Sequence, residues 1–137
     1  MTYAGDITPE EAWRLLTDSR DAVLVDVRTD AEWRFVGVPD LSSLQRDVVF
    51  VEWNRSDGGR NESFVDDLKT AGVTPGAGPV VFLCRSGNRS IGAAEAATEA
   101  GIAPSYNILD GFEGNLDEHR HRGATGWKAV GLPWKQS

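Results

Sequence analysis

Seven consecutive residues, Cys84-Arg85-Ser86-Gly87-Asn88-Arg89-Ser90, place a thiol among two guanidinium groups, two hydroxyls and two residues that tolerate positive φ. Cys84 is the only cysteine among 137 residues. It therefore closes no internal disulfide and builds no cysteine-based zinc finger. The pattern offers a nucleophile in an anion-binding turn instead. Gly87 and Asn88 let successive backbone N–H groups curl into a concave nest. A helix starting near Arg89 or Ser90 adds unpartnered N–H groups and the positive end of its dipole, and Arg85 and Arg89 add full charge. Every one of these neighbours favours a thiolate, which predicts ionisation below the ~8.5 of a free cysteine. Free Cys is also among the most buried residue types, and a βα turn with solvated arginines is a further plain reading. Two Arg, Ser, Gly and Asn do not line an apolar pocket, so the reactive thiol takes precedence.

The flanking elements explain why the turn sits where it does. Val80-Val81-Phe82-Leu83 before it is a short apolar run that reads as a strand buried on both faces, and Ile91 to Ala100 after it is an Ala-rich helix closed by Gly101. The same alternation runs along the chain. Thr8-Pro9-Glu10-Glu11 is a capping box opening a helix with Ala12, Leu15 and Leu16 on one face. Ala22 to Val27 reads as a strand, Thr29 to Trp33 as a short capped helix, and Val48 to Val51 as a second strand. Phe64, Val65, Leu68 and Ala71 sit at helical spacing, and Tyr106-Asn107-Ile108-Leu109 forms a fourth strand before an Asp110-Gly111 turn. Strands alternating with helices predict an α/β fold, a central mainly parallel sheet with helices on both faces. In such sheets ligands bind beyond the carboxyl ends of the strands, which is where Cys84 falls.

Length suits a single domain over residues 1–137, with the polar loop 54–62 as an insertion that adds no core. The 21 acidic and 14 basic side chains give a formal net charge of −7, which argues against a nucleic-acid surface. No apolar run approaches the ~20 residues of a membrane span, and Met1–Asp6 lacks the features of a leader. A cytoplasmic setting, where a free thiol stays reduced, is the default expectation.

The Cys84 to Ser90 loop resembles the active-site loop of rhodanese-domain sulfurtransferases. Leu24-Val25-Asp26-Val27-Arg28 is similar to that family's Asp-x-Arg strand end, and Glu32-Trp33 to its Glu-aromatic pair. Tyr106 to Phe112 resembles its late strand and Gly turn, and Gly126-Trp127 through Gly131-Leu132-Pro133 its closing segment. The chain departs at Gly37-Val38-Pro39-Asp40-Leu41, where members commonly carry a His, and its Asp40–Glu62 stretch is longer than usual. The resemblance implies that Cys84 attacks the sulfane sulfur of a donor such as thiosulfate, expels sulfite and becomes a persulfide. Cyanide, a cellular thiol or a sulfur-carrier protein then takes the sulfur. Cys84 is the catalytic residue of that reading. Arg85, Ser86, Gly87, Asn88, Arg89 and Ser90 are its substrate-binding residues, with the charged donor expected at Arg85 and Arg89 and a structural role as the alternative for Arg89. Asp26 and Arg28 support the site, best read as a hydrogen-bonded pair bracing nearby loops. No cofactor and no metal is implied.

Two other readings share the loop. Cysteine-dependent phosphatases and arsenate reductases close a similar nest with an Arg one residue further from their Cys, so the shorter spacing here fits a sulfur atom better than a phosphate. A non-catalytic rhodanese-like regulatory module is the other, and such modules typically lack the Cys. Elsewhere, Glu32 reads as a solvated helix charge, and His119 and His121, beside two Arg, make a poor cation site. The five Trp read as core and tail anchors, with Trp53 balanced between rimming the pocket and plain packing, and Asp57-Gly58-Gly59 as a lid or a surface turn.

Overall fold

The computed structural model describes residues 3–55 and 57–136; Ser56, within the polar loop, and Met1 and Thr2, in the segment read for a leader, lie outside the described residues. In chain order the elements are β1 (Gly5–Ile7), α1 (Pro9–Asp18), β2 (Val23–Asp26), α2 (Asp30–Phe35), β3 (Val38–Pro39), a 3-10 turn (Ser42–Leu44), β4 (Val49–Phe50), α3 (Phe64–Thr70), β5 (Val80–Leu83), α4 (Arg89–Glu99), β6 (Ser105–Ile108) and β7 (Trp134–Lys135). Five strands form one parallel sheet in the order β1-β6-β5-β2-β4. β5 is therefore central, which puts its carboxyl end in the middle of the sheet edge.

The two faces of the sheet carry separate cores, and β5 supplies both by alternation. Val80 and Phe82 join Val25, Val27, Phe64, Leu68 and the Ala93, Ala94 and Ala97 stripe of α4. Val81 and Leu83 face the other way, with Ala12, Leu16, Leu24, Ile108, Phe112 and Trp127. A strand buried on both sides cannot show a polar face, so its sequence reads as a continuous apolar run. Helix entry is set locally. In α1 the Glu11 N–H donates to Thr8 Oγ1 at 3.1 Å and the Thr8 N–H to Glu11 Oε1 at 2.9 Å. Thr29 and Glu32 repeat the same box at the start of α2.

Three short strands differ from the sequence expectation. β1 has only three residues, one of them Gly, too few to display a pattern, and it is ordered by pairing with β6. β3 and β7 form a two-stranded antiparallel sheet that fastens the tail at Trp134 and Lys135 to Val38 and Pro39. That pairing occupies the segment where the expected His is replaced, and Gly37, at φ +117°, passes so close that a Cβ would lie 2.9 Å from the Lys135 carbonyl oxygen. The 54–62 loop folds back on itself, with Asn54 bridged to Arg60. Contrary to a loop without core, Asn61 within it is buried and its amide donates to the Glu52 carbonyl and to Asp67 Oδ2, each at 2.9 Å.

Candidate active site

Cys84 directly follows β5 and is 1% exposed. Its Sγ accepts a hydrogen bond from the Gly87 N–H at 3.0 Å and lies 3.2 Å from Ser90 Oγ. The loop makes this bend at Gly87, with φ +96°. Asn88 does not share the left-handed role expected of it: its φ is −96° and it caps α4 without a side-chain bond. Apart from Gly87, the loop N–H groups from Arg85 to Ser90 have no partner among the described residues. They are what a nest has to offer an anion.

The far side of the loop is pinned by the turn after β6. Phe112 N–H donates to the Cys84 carbonyl at 2.8 Å, and Glu113 N–H to the Arg85 carbonyl at 2.9 Å. Gly111 makes the approach feasible, since a Cβ there would lie 2.4 Å from the Cys84 carbonyl oxygen. Trp127, wholly buried, holds that turn in place through its N–H to the Gly111 carbonyl at 2.8 Å. The closing segment thus reaches the thiol through two backbone contacts.

The charges around the thiol are arranged differently from the sequence expectation. Arg89, expected at the donor or in a structural role, forms a bidentate bridge with Glu32, at 2.8 and 2.9 Å. Glu32 is accordingly no solvated helix charge: its side chain is 18% exposed and ties α2 to the start of α4. Burial pushes the Glu32 carboxyl up, but the hydrogen bonds from Arg89 and Thr29 and the Arg89 charge outweigh it and hold the group below the usual range. Burial works against the Arg89 charge too, and Glu32, with Cys84 and Asp26 behind it, keeps that guanidinium more firmly cationic than usual. Because the folded-state carboxyl is held down, its contribution is complete above the ordinary Glu value of ~4.3 and vanishes as pH falls through the lowered one. Glu32→Gln should therefore cost about 1 kcal/mol at pH 7, with the gap to the wild type closing in acid; thermal melts from pH 7 to pH 3 check it. Arg85 is exposed and holds no ion pair among the described residues. It is the loop's available cation.

Asp26 and Arg28 are both 0% exposed and bonded to each other, Nε to Oδ1 at 2.9 Å and Nη2 to Oδ2 at 2.7 Å. Arg28 Nη2 also donates to the Gly37 carbonyl at 2.7 Å, and its guanidinium lies 4.2 Å from the Phe112 ring centre. The pair binds the end of β2 to the β3 segment and to the turn that pins Cys84. Trp53 packs edge-on against Phe64 at 4.9 Å, over Gly92, with Arg60 stacked on it at 4.5 Å. Its contacts are those of packing. Asp57 Oδ1 accepts from the Gly59 N–H at 2.8 Å, as in a surface turn. His119 and His121 are exposed, and their backbone N–H groups both donate to Asp117 Oδ1.

Three residues at the site carry no expectation from sequence. Ser90 Oγ is hydrogen-bonded to Asn107 Oδ1, Asn107 Nδ2 donates to Asp6 Oδ1 at 3.0 Å, and Tyr3 OH donates to the same oxygen at 2.7 Å. The available cue is Asn107 itself, an amide within the otherwise apolar and aromatic run Tyr106-Asn107-Ile108-Leu109; buried polar groups have partners. Its partner stands on β1, a strand the pattern does not reveal.

A parallel sheet with a thiol loop at the carboxyl end of its central strand defines a rhodanese-like α/β domain. The chain belongs to the STR4 middle domain family, whose model matches residues 4–137. It is similar to the crystal structure of Rv0390 from M. tuberculosis, 67% identical, with a TM-score of 0.92 and coverage of 99% of this chain and 100% of that one. An uncharacterized protein of Rickettsia conorii is 38% identical over 130 residues, 95% of this chain and 96% of that protein. The chloroplastic protein THYLAKOID RHODANESE-LIKE of Oryza sativa is 28% identical over 130 residues; the match spans 95% of this chain and 25% of that protein. Among the described residues no helix is long and apolar enough to cross a membrane.

Proposed function

We propose that the protein is a sulfurtransferase that moves a sulfane sulfur from thiosulfate or a related small anionic donor to a thiophilic acceptor through a Cys84 persulfide. The observation that carries this reading is a single buried thiol, held by the Gly87 N–H at 3.0 Å, under a loop whose remaining N–H groups hold no partner among the described residues. The thiolate attacks the outer sulfur of thiosulfate, the S–S bond breaks, and sulfite leaves with the bonding pair. The persulfide's terminal sulfur, an anion, is then stabilised by the N–H groups as an oxyanion hole stabilises oxygen. Cyanide in the test tube, and a thiol or a sulfur-carrier protein in the cytoplasm, removes it. Sulfur arrives and leaves as an anion, so the cycle needs no general base, and no carboxylate or imidazole is bonded to Sγ among the described residues. A phosphatase reading is disfavoured by Arg89, which is already neutralised by Glu32 and has less to offer a dianion.

Incubation with thiosulfate is expected to add the mass of one sulfur atom to the intact protein, and cyanide to remove it as thiocyanate. No adduct and no thiocyanate would sink the catalytic reading and favour a binding module; release of phosphate from a small aryl ester would favour the phosphatase. Arg85→Ala is expected to raise the donor KM about tenfold through loss of a charge-assisted contact, with little change in melting temperature. An equal loss of stability and affinity would make Arg85 structural instead.

A further inference from the structure

The turn that pins Cys84 also walls a cavity. Glu113, whose N–H donates to the Arg85 carbonyl at 2.9 Å, lines a hollow of about 270 Å³ together with Arg122, Lys128 and Trp134. One backbone hydrogen bond therefore separates this hollow from the thiol loop. Residues 119–137 hold four Arg and Lys and no Asp or Glu, on a chain of net charge −7, so cations are concentrated here. The fold fixes two of the lining side chains. The Lys128 ammonium lies 4.1 Å from the Trp134 ring centre and 5.6 Å from that of Phe112, and the two rings meet edge-on at 6.1 Å. Ring faces attract a cation and set where it stands. They do not neutralise it: among the described residues the Lys128 side chain holds no ion pair and no hydrogen bond. Arg122 Nη1 donates to the Gly114 carbonyl at 2.8 Å, which occupies one of its five N–H donors. The Glu113 carboxylate is likewise without a partner among the described residues.

Two cations, one carboxylate and an aromatic face in a small hollow complement a zwitterion. A carboxylate is matched by Lys128 and Arg122, an ammonium by Glu113, and the carbon stem between them by Trp134. A small dianion such as thiosulfate would meet repulsion from Glu113 and gain nothing from the indole, so the donor's place stays at the loop. We propose that this cavity is the acceptor subsite of the domain, holding the α-amino acid end of a small peptide thiol while its sulfur reaches Cys84. The proposal deepens the sulfurtransferase reading and rests on it for the transfer step. In that step the acceptor sulfur bonds to the outer sulfur of the Cys84 persulfide, the old S–S bond breaks, and its electron pair returns to Cys84. Thiol and persulfide anion become acceptor persulfide and Cys84 thiolate, with the thiol's proton kept by the product. No oxidant or reductant is needed. A neutral thiol places nothing on Lys128 and should be the poorer acceptor.

Glutathione, a γ-glutamyl peptide thiol, and its unreactive S-methyl ether are the probes. Calorimetric titration with S-methylglutathione is expected to show binding at one site. Lys128→Met keeps the stem over the rings and removes the charge, and it is expected to weaken binding about tenfold. Lys135→Met removes the same charge outside the cavity and is expected to weaken binding less than about twofold. Glu113→Gln is expected to weaken binding about threefold and to abolish the preference for S-methylglutathione over its N-acetyl derivative, which lacks the ammonium. No binding, equal losses for Lys128→Met and Lys135→Met, or tighter binding by Glu113→Gln would overturn the proposal. Lys128 and Glu113 are half-buried and Lys135 is exposed, so folded variants are expected, with melting curves as the check. Lys128→Arg keeps the charge and should stay within about threefold of the wild type; a loss as large as that of Lys128→Met counts against the site. In protein loaded from thiosulfate, the ratio of glutathione to cyanide rates for removing the sulfur is expected to fall about tenfold in Lys128→Met. An unchanged ratio overturns the acceptor role. Binding of S-methylglutathione needs no persulfide. A protein that gains no sulfur yet binds this probe through Lys128 and Glu113 keeps the peptide-thiol site and loses the sulfurtransferase reading, whereas one that gains sulfur and binds no probe loses only the site.

Discussion

Cys84→Ser is expected to lower sulfur transfer by at least about a thousandfold while leaving the domain folded. The substitution changes one atom in a site that is 1% exposed and already contains donors and acceptors suited to oxygen. The Gly87 N–H and the Ser90 hydroxyl would hold a serine Oγ about as well as they hold Sγ. Stability should change by less than about 1 kcal/mol, because no cavity opens and no polar group loses its partner. Chemistry is another matter. A neutral hydroxyl has no appreciable oxyanion at pH 7 and no counterpart to the persulfide, so the covalent half-reaction has no route. Thiocyanate formation, intact mass after thiosulfate treatment and a melting curve measure the three parts of this statement. A serine variant that still turns over would mean that sulfur reaches the acceptor directly, with the loop serving as a binding surface and Cys84 as a bystander.

What the sequence discloses about this site follows chain separation. The Cys84 loop, both capping boxes and the continuous apolar run of β5 are local: each is written within about a dozen residues, where spacing has a direct geometric meaning. The Asp26–Arg28 pair is also local, two positions apart at a strand end, and it is read as a brace for that reason. Glu32 and Arg89 are separated by 57 positions, and Asp6 and Asn107 by 101. Nothing in either neighbourhood marks the partner. Glu32 already has a complete local role as the N3 residue of a capping box, so its second role at the thiol loop is hidden behind the first. β1 and the β3–β7 pair fail for a related reason. Two or three residues, with a Gly in β1 and a Pro in β3, carry too little pattern to be strands alone, and they become strands only when the rest of the fold presents an edge. The site's inner half is therefore legible in the loop, and its outer half, the Glu32–Arg89 bridge and the Asp6–Asn107 bond, is a product of topology.

The largest effect on stability is expected at Asp26. Its carboxylate and the Arg28 guanidinium are both 0% exposed, and among the described residues Arg28 has no other anion in contact, its further partners being the Gly37 carbonyl and the face of Phe112. Arg28 Nη1 is already without a partner among the described residues. Asp26→Ala removes the counter-charge and leaves a buried cation that cannot deprotonate, a change that costs about 3–5 kcal/mol in comparable buried pairs. For a domain of this size that corresponds to roughly 10–20 °C in melting temperature. Activity should fall with it in the surviving folded fraction, because Phe112 lies under Arg28 on one side and its N–H holds the Cys84 carbonyl on the other. The pair need not be worth that much in itself. Replacing both members, Asp26→Ala with Arg28→Met, removes the stranded charge along with its partner and should recover about half of the loss or more. Urea denaturation of the two single variants and the double separates these contributions. A single Asp26→Ala variant within about 1 kcal/mol of the wild type would show that Arg28 finds water or another carbonyl when its partner is gone, and that the brace between β2, the β3 segment and the Cys84 turn is held by backbone contacts alone.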